Sequence, residues 1–205
     1  MTEKKVIDLF NHWALSGKDI GMEEGHSKSV EAMLRNFINK QTVPFSFIDA
    51  GCGNGWLVRK ILTHPLCDIA IGVDGAGEMI KKAINLDSNG EYFHSGLIEW
   101  VPNKLVDLVH CMEVIYYFEN PKKIISHILE NWLKSKGTII VGMDYYLENE
   151  NCHSWAKDLN VPMTLLSIND WSDLFHQCGL KNIFSYQVNQ QSNFLGTLVI
   201  QGERE

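Results

Sequence analysis

The stretch Ile48-Asp49-Ala50-Gly51-Cys52-Gly53-Asn54-Gly55-Trp56 decides the fold. The apolar run Phe45 to Ala50 reads as a short buried strand. It delivers an acid, Asp49, just before three glycines at every second position. From Trp56 to Thr63, Leu57, Val58, Ile61 and Leu62 fall at helical spacing. Strand, glycine turn and helix in that order form a ligand cradle. The backbone turns sharply, and a bulky ligand lies against it with no Cβ in the way. Backbone N–H groups at the new helix start offer donors to a carboxylate. Asp49 supplies negative charge for an ammonium group, directly or through water. An amino-acid-bearing ligand fits this arrangement better than a pyrophosphate.

Outward from this stretch the chain alternates. Asp68 to Val73 is a second strand stopped by Asp74-Gly75, and Glu78 to Leu86 a helix. Glu91 to Phe93 is a brief strand, Leu105 to Cys111 another, Pro121 to Lys134 a helix with Pro in its favoured first turn, and Thr138 to Met143 a strand. Such alternation means right-handed βαβ units and a sheet covered on both faces. Residues 145–166 break the rhythm and read as an insertion over the sheet's end. Ser167-Ile168-Asn169-Asp170 is a capping box opening a helix to about Cys178, ended by Gly179. Lys181 to Val188 and Phe194 to Gln201 close the chain as a hairpin. Residues 1–40 hold two amphipathic helices, Lys5–Leu15 and Ser27–Asn39, around a polar loop from Ser16 to His26, and together form a helical lid. The expected fold is α/β and Rossmann-like. It has seven strands, mostly parallel with an antiparallel C-terminal hairpin, in one domain over 1–205.

Asp74, about 20 residues past the first turn, ends its strand where an acid accepts both hydroxyls of a ribose. Dinucleotide folds use the same acid, but they favour GxGxxG; here the spacing is GxGxG after Asp49. Composition narrows the classes further. The 205 residues carry a net charge of −7 with 45% hydrophobic content, which suits a globular domain rather than a disordered chain and argues against a nucleic-acid partner. No apolar run approaches the ~18 residues of a membrane span. The start, Met1-Thr2-Glu3-Lys4-Lys5-Val6, has no apolar or Arg-rich leader, so a cytoplasmic protein is expected. Five cysteines (Cys52, Cys67, Cys111, Cys152, Cys178) form no CxxC pair and indicate neither a zinc site nor a disulfide framework.

From about Phe45 to the C-terminus the chain resembles the class I S-adenosylmethionine-dependent methyltransferases. Ile48 to Gly55 matches that family's first motif and Gly72-Val73-Asp74 its second. The resemblance implies S-adenosyl-L-methionine as cofactor, held by Asp49, Gly51, Cys52, Gly53, Asn54 and Gly55. It implies Asp74 and Gly75 at the ribose and Met79 against the adenine. Ser95 stands where the family often has an acid for the adenine amino group, so Ser95 or the backbone of Gly96 and Leu97 substitutes. The end of the strand at Cys111 would support the amino-acid moiety. The family's base-methylating branch carries Asn/Asp-Pro-Pro-aromatic after this strand, whereas Cys111-Met112-Glu113-Val114 stands here. A metal-using O-methylating branch ends Glu113 to Tyr117 in Glu-His; Tyr116 and Tyr117 take those positions, so no metal is implied.

The acceptor pocket is expected at the carboxyl ends of the strands. Candidate catalytic residues are His26, Tyr117 and His153. Candidate acceptor contacts are Trp13, Glu24, Glu113, Tyr116, Tyr145 and Trp155. Each has a plainer reading. His26 can cap a helix, Glu23 and Glu24 can complement its dipole rather than select a cation, and Tyr145, Tyr146 and Trp155 can be packing. The expected activity is methyl transfer to N, O or S of a small molecule. The alternatives are a protein or RNA methyltransferase, an NAD(P)-dependent oxidoreductase, and a non-catalytic S-adenosylmethionine-binding protein.

Overall fold

The computed structural model describes residues 2–205, with side chains described from Lys4 onward. Two N-terminal helices, α1 (Thr2–Ser16) and α2 (Gly21–Lys40), precede the alternating region. That region runs β1 (Phe45–Ala50), α3 (Trp56–Leu62), β2 (Cys67–Asp74), α4 (Gly77–Leu86), β3 (Glu91–His94) and β4 (Val106–Met112), then α5 (Pro121–Asn131) and β5 (Leu133–Met143). A short α6 (Trp155–Asp158), then α7 (Ile168–Gln177), β6 (Lys181–Val188) and β7 (Thr197–Glu203) complete it.

The strands form one seven-stranded sheet in the order β3-β2-β1-β4-β5-β7-β6. Strands β1 to β5 pair in parallel. β7 inserts antiparallel between β5 and β6. The sheet is therefore Rossmann-like with an antiparallel C-terminal hairpin, as its sequence pattern implied. The central strands β1 and β4 are mostly buried because both faces of the sheet are covered there. One face packs Ile124 and Ile128 of α5 and Trp171 and Phe175 of α7. The other packs Val30 and Met33 of α2 and Leu57 and Val58 of α3.

Several boundaries differ from the sequence reading. The expected loop from Ser16 to His26 is mostly helix, because α2 begins at Gly21. Gly21 and Gly25 lower local helix propensity, but tertiary contacts override it. A tight turn at Lys18–Ile20 buries Asp19, which accepts from Lys82 Nζ at 2.6 Å and from Asn54 Nδ2 at 3.1 Å. The helix expected to reach Lys134 stops at Asn131, and β5 begins at Leu133 rather than Thr138. Trp132 is the cause: it is wholly buried, edge-on to Trp100, and donates its Nε1–H to Trp100 O at 3.0 Å. β7 begins at Thr197 rather than Phe194, after Gly196 with φ 99°. The capping box is present: Ser167 Oγ accepts from Asp170 N at 3.1 Å, and Asp170 Oδ2 accepts from Ser167 N at 3.3 Å. Thr164 N donates to Tyr116 O at 2.7 Å, which ties the segment 145–166 to the turn after β4.

Candidate active site

The glycine turn after β1 has left-handed backbone at Gly51, Gly53 and Gly55, with φ of 76°, 52° and 75°. A Cβ at Gly51 would overlap Val114, and one at Gly53 would press on Met22 Cε at 3.0 Å. Four N–H donors around the turn are engaged inside the protein. Gly51 and Cys52 donate to Val73 O at 2.8 and 3.1 Å. Gly53 donates to Asp74 Oδ2 at 2.9 Å and Trp56 to Asn54 Oδ1 at 3.3 Å. These four N–H groups hold the turn in shape against β2 and the start of α3. Val73 O and the Asp74 carboxylate at the end of β2, with the Asn54 amide oxygen, take those N–H groups.

Asp74 also accepts from Ala76 N at 2.7 Å. Burial pushes its carboxyl upward, against the pull of these two N–H bonds. Asp49 is buried and accepts from His110 Nδ1 at 2.7 Å. The other ring nitrogen, Nε2, is buried without a hydrogen-bond partner.

A cavity of about 420 Å³ opens above this turn. Gly51, Gly53, Asp74, Gly75, Gly96 and Leu97 line one end of it. The other end is lined by Glu113, Tyr116, Tyr117 and Phe118, with Trp155 from the insertion. α1 closes it with Val6, Ile7, Phe10 and Trp13, and Lys18, Met22 and His26 add a rim. Phe10 meets Tyr117 edge-on at 5.6 Å, and Lys18 Nζ sits 4.2 Å from the centre of the Trp13 ring.

Just past β4, Glu113 adopts φ 58°, a left-handed conformation that a side chain rarely takes. Its Oε2 accepts from Tyr116 OH at 2.6 Å, and its Oε1 accepts from Asp144 N. Burial, and then the neighbouring Asp144 charge, push the Glu113 carboxyl well above the usual carboxylate range. Burial also raises Asp144, whose Oδ1 is buried without a partner. His26 Nδ1 donates to Met22 O at 3.0 Å, which leaves Nε2 as a proton acceptor on the cavity rim.

The cavity therefore brings together twelve of the residues singled out by sequence: Trp13, His26, Gly51, Gly53, Asp74, Gly75, Gly96, Leu97, Glu113, Tyr116, Tyr117 and Trp155. Others lie elsewhere. Cys52 and Cys111 are buried, and burial raises both thiols. Asn54 faces Asp19 and caps α3, while Gly55 gives way to the Tyr92 ring. Met79 is buried with Ala14, Phe10 and Trp13, under α1 rather than in the cavity. Ser95 donates to Gly96 O at 3.2 Å. Tyr145 stacks on Trp155 at 6.2 Å from outside the cavity. Glu24 is exposed on α2, and His153 donates to Leu147 O at 2.8 Å from an exposed position. Sequence reasoning missed Phe10, Glu99 and Asp158, among others. Phe10 and Trp13 had a signal in their three-residue spacing on one helix face. Glu99 had one in its closeness to Ser95. A Cβ on Gly96 would overlap Glu99 Oε2, so this acid folds back on the segment where the resemblance had lacked one.

Among the described residues no helix is long and apolar enough to cross a membrane, and no cluster of His, Cys, Asp and Glu is arranged to hold a metal. Among solved structures, the chain is similar to one in the complex between the Haloferax volcanii Trm112 methyltransferase activator and a methyltransferase. That match has 22% identity and a TM-score of 0.81, and covers 95% of this chain and 97% of that one. It is similar to the N-methyltransferase NodS from Bradyrhizobium japonicum WM9, crystallised with S-adenosyl-L-homocysteine. There the identity is 16% and the TM-score 0.66, over 88% of this chain and 86% of that one. It is also similar to magnesium protoporphyrin IX methyltransferase from Synechocystis PCC 6803 with bound S-adenosylmethionine, at 14% identity and TM-score 0.66, over 90% and 82% of the two chains. No curated protein matches the sequence. The family model described as a methyltransferase domain matches residues 22–184, which run from the rim residue Met22 through the glycine turn and Glu113 into β6. The chain belongs to that methyltransferase-domain family.

Proposed function

We propose that the protein transfers a methyl group from S-adenosylmethionine to a small-molecule acceptor, at N, O or S. One observation carries the reading: a single cavity joins the glycine turn and Asp74 at one end to an aromatic box with the half-buried Glu113 carboxylate at the other, under α1. The cradle fits the cofactor, since Gly51 and Gly53 keep its floor free of Cβ atoms. When bound, S-adenosylmethionine supplies a methyl group already activated on a cationic sulfur. Asp74 has lone pairs left for the ribose hydroxyls, and Asp49 places negative charge behind the turn. Lys18, which lines the cavity, would pair with the cofactor's carboxylate. Glu99, with Gly96 and Leu97, would hold the adenine edge. The aromatic walls orient the acceptor and exclude water; orientation alone is worth on the order of 7–11 kcal/mol. His26 is placed to accept a proton from the acceptor, a contribution of roughly 10²–10⁴-fold. The exposed position of His153 supports no such role. With this cavity the helical segment 1–40 serves as a lid and 145–166 as the acceptor-side wall.

The test pairs two measurements. Thermal unfolding with S-adenosylmethionine, S-adenosylhomocysteine, NAD and NADP should show stabilisation by the S-adenosyl compounds alone, about 2.7 kcal/mol at a hundredfold excess over the dissociation constant. A shift with NAD or NADP instead overturns the reading. Labelled methyl groups should then appear in the small-molecule fraction of an extract. Label confined to protein or RNA would favour a second reading, a macromolecular substrate handled with a partner subunit. The resemblance to a chain of the Trm112 activator complex is the observation behind that alternative.

A further inference from the structure

We infer that His110 is a positioning residue for the methyl donor, holding the Asp49 carboxylate where it serves the cofactor's ammonium group, an inference that rests on the methyl-transfer reading above.

The sheet register sets the two residues together. Asp49 on β1 stands opposite His110 on β4. Each is two residues short of a residue that lines the cavity, Gly51 and Met112. Two residues of strand span about 6–7 Å, so the pair lies just behind the cavity lining. His110 is 1% exposed, and its ring sits 6.3 Å from that of Phe47 on the apolar face covered by α2 and α3. A polar ring in such a layer needs partners, and among the described residues His110 has one. Nδ1 donates to Asp49 Oδ1 at 2.7 Å, while Nε2 is buried without a hydrogen bond. Asp49 gives one oxygen to the ring. Its Oδ2 takes no hydrogen bond among the described residues, and its side chain keeps 6% exposure. An apolar pair in the same two places would serve folding as well or better. The two polar groups therefore point to a ligand.

Charge decides which part of the ligand they serve. The ring orients the carboxylate without cancelling it. A second proton, on Nε2, would place an N–H with no acceptor among apolar side chains. A lysine or arginine in this position would instead neutralise Asp49. The negative charge remains, and it reaches the cavity lining: burial, and more weakly the Asp49 charge, raise the Asp74 carboxyl. Of the cofactor's amino-acid end, the ammonium group is what such a charge attracts. A carboxylate already fixed in the free protein also spares the complex the entropy of ordering it.

Titration calorimetry of the full chain with three probes tests this without turnover. The probes are S-adenosylhomocysteine, its analogue with hydrogen in place of the amino group, and 5′-methylthioadenosine, which lacks the amino-acid end. The parent should bind S-adenosylhomocysteine about tenfold or more tightly than the desamino analogue, the range of a charge-assisted hydrogen bond. His110→Leu should erase most of that preference, while the affinity for 5′-methylthioadenosine stays within about twofold. His110→Asn, whose amide N–H can replace the one on Nδ1, should restore most of it. An equal loss across the three probes marks a purely structural role and overturns the inference. So does a preference unchanged in His110→Leu, or one that His110→Asn fails to restore. The parent supplies a check that needs no variant to fold. Nitrogen NMR spectra of its imidazoles should show His110 protonated at Nδ1 and bare at Nε2, and S-adenosylhomocysteine should move the Nδ1 resonance more than the desamino analogue does. A ring protonated at Nε2 alone, or equal movement with both ligands, overturns the inference. If the parent binds S-adenosylhomocysteine and the desamino analogue equally, the role of His110 falls and the methyl-transfer reading stands. Binding of none of the three probes removes both.

Discussion

Strands β1 and β4 run side by side, and acids near their two ends are treated in opposite ways. At the N-terminal end, Asp107 accepts from Ser46 N at 2.8 Å, Ser46 Oγ at 2.7 Å and Lys134 Nζ at 2.8 Å. Burial pushes this carboxyl up, but the Lys134 and Ser46 hydrogen bonds outweigh it and hold the group below its ordinary range. At the C-terminal end, Asp49 leans on a histidine whose second nitrogen has no partner, and Glu113 sits in left-handed backbone beside Asp144. One end is arranged for folding. The other carries charge and backbone strain that folding alone does not compensate, which is the pattern of a site completed by its ligands. It lies at the carboxyl ends of the parallel strands, where open α/β sheets bind.

The largest effect that would sharpen this contrast is expected at the turn. Gly51→Ala combines an unfavourable left-handed φ with overlap on Val114. It should lower stability by about 2–4 kcal/mol, or roughly 4–16 °C in the unfolding midpoint by calorimetry. A midpoint within a degree of the parent would mean the turn can relax. Asp74→Ala comes next. Loss of charge-assisted bonds to a ribose should weaken S-adenosylhomocysteine on the order of 100-fold in titration calorimetry, and unchanged affinity would remove the ribose assignment.

At the opposite end, Asp107→Asn should remove about 0.5–1 kcal/mol at neutral pH, a modest figure because the pair is partly exposed and screened. Its folded-state pKa is depressed, so the contribution is present above the unfolded value and is lost as pH falls through the folded one. The variant should therefore show a flatter acid limb in urea titrations at pH 3–6. A limb as steep as the parent's would break the comparison from that side.

The smallest effect is a trend. Glu113 is raised in the folded state, so more protons are bound folded than unfolded, and its ionisation costs stability as pH rises from the unfolded value toward the folded one. The groups facing it are Asp144, Tyr116 and Tyr117. The stability of ligand-free Glu113→Gln relative to the parent should thus improve steadily between pH 5 and pH 8. A difference that does not move with pH would show Glu113 to be ordinary in its titration.

Much of this was legible in the chain. β1 and β6 fall on their expected residues, and the capping box at Ser167 forms as read, because spacing over a few residues decides strand, turn and cap. Asp74 reaches the cavity because a parallel βαβ unit sets the two strand ends side by side. The loop expected at Ser16 to His26 turned helical because Asp19 is held by Lys82 and Asn54, far away in sequence. Met79 was expected against a ligand, but α1 covers it.

The sequence by itself determined the order of strands and helices, the glycine turn with its left-handed backbone, and the two acids that flank it. Those features depend on neighbours within one element, and residue type and spacing encode them directly. Only the tertiary structure decided which acceptors engage the turn's N–H groups, that Lys18 and Glu99 reach the cavity, and that Glu113 comes to lie beside Asp144. Such properties depend on burial and on pairing between residues 30 to 60 or more positions apart, and no local pattern records what a side chain will find when the sheet closes.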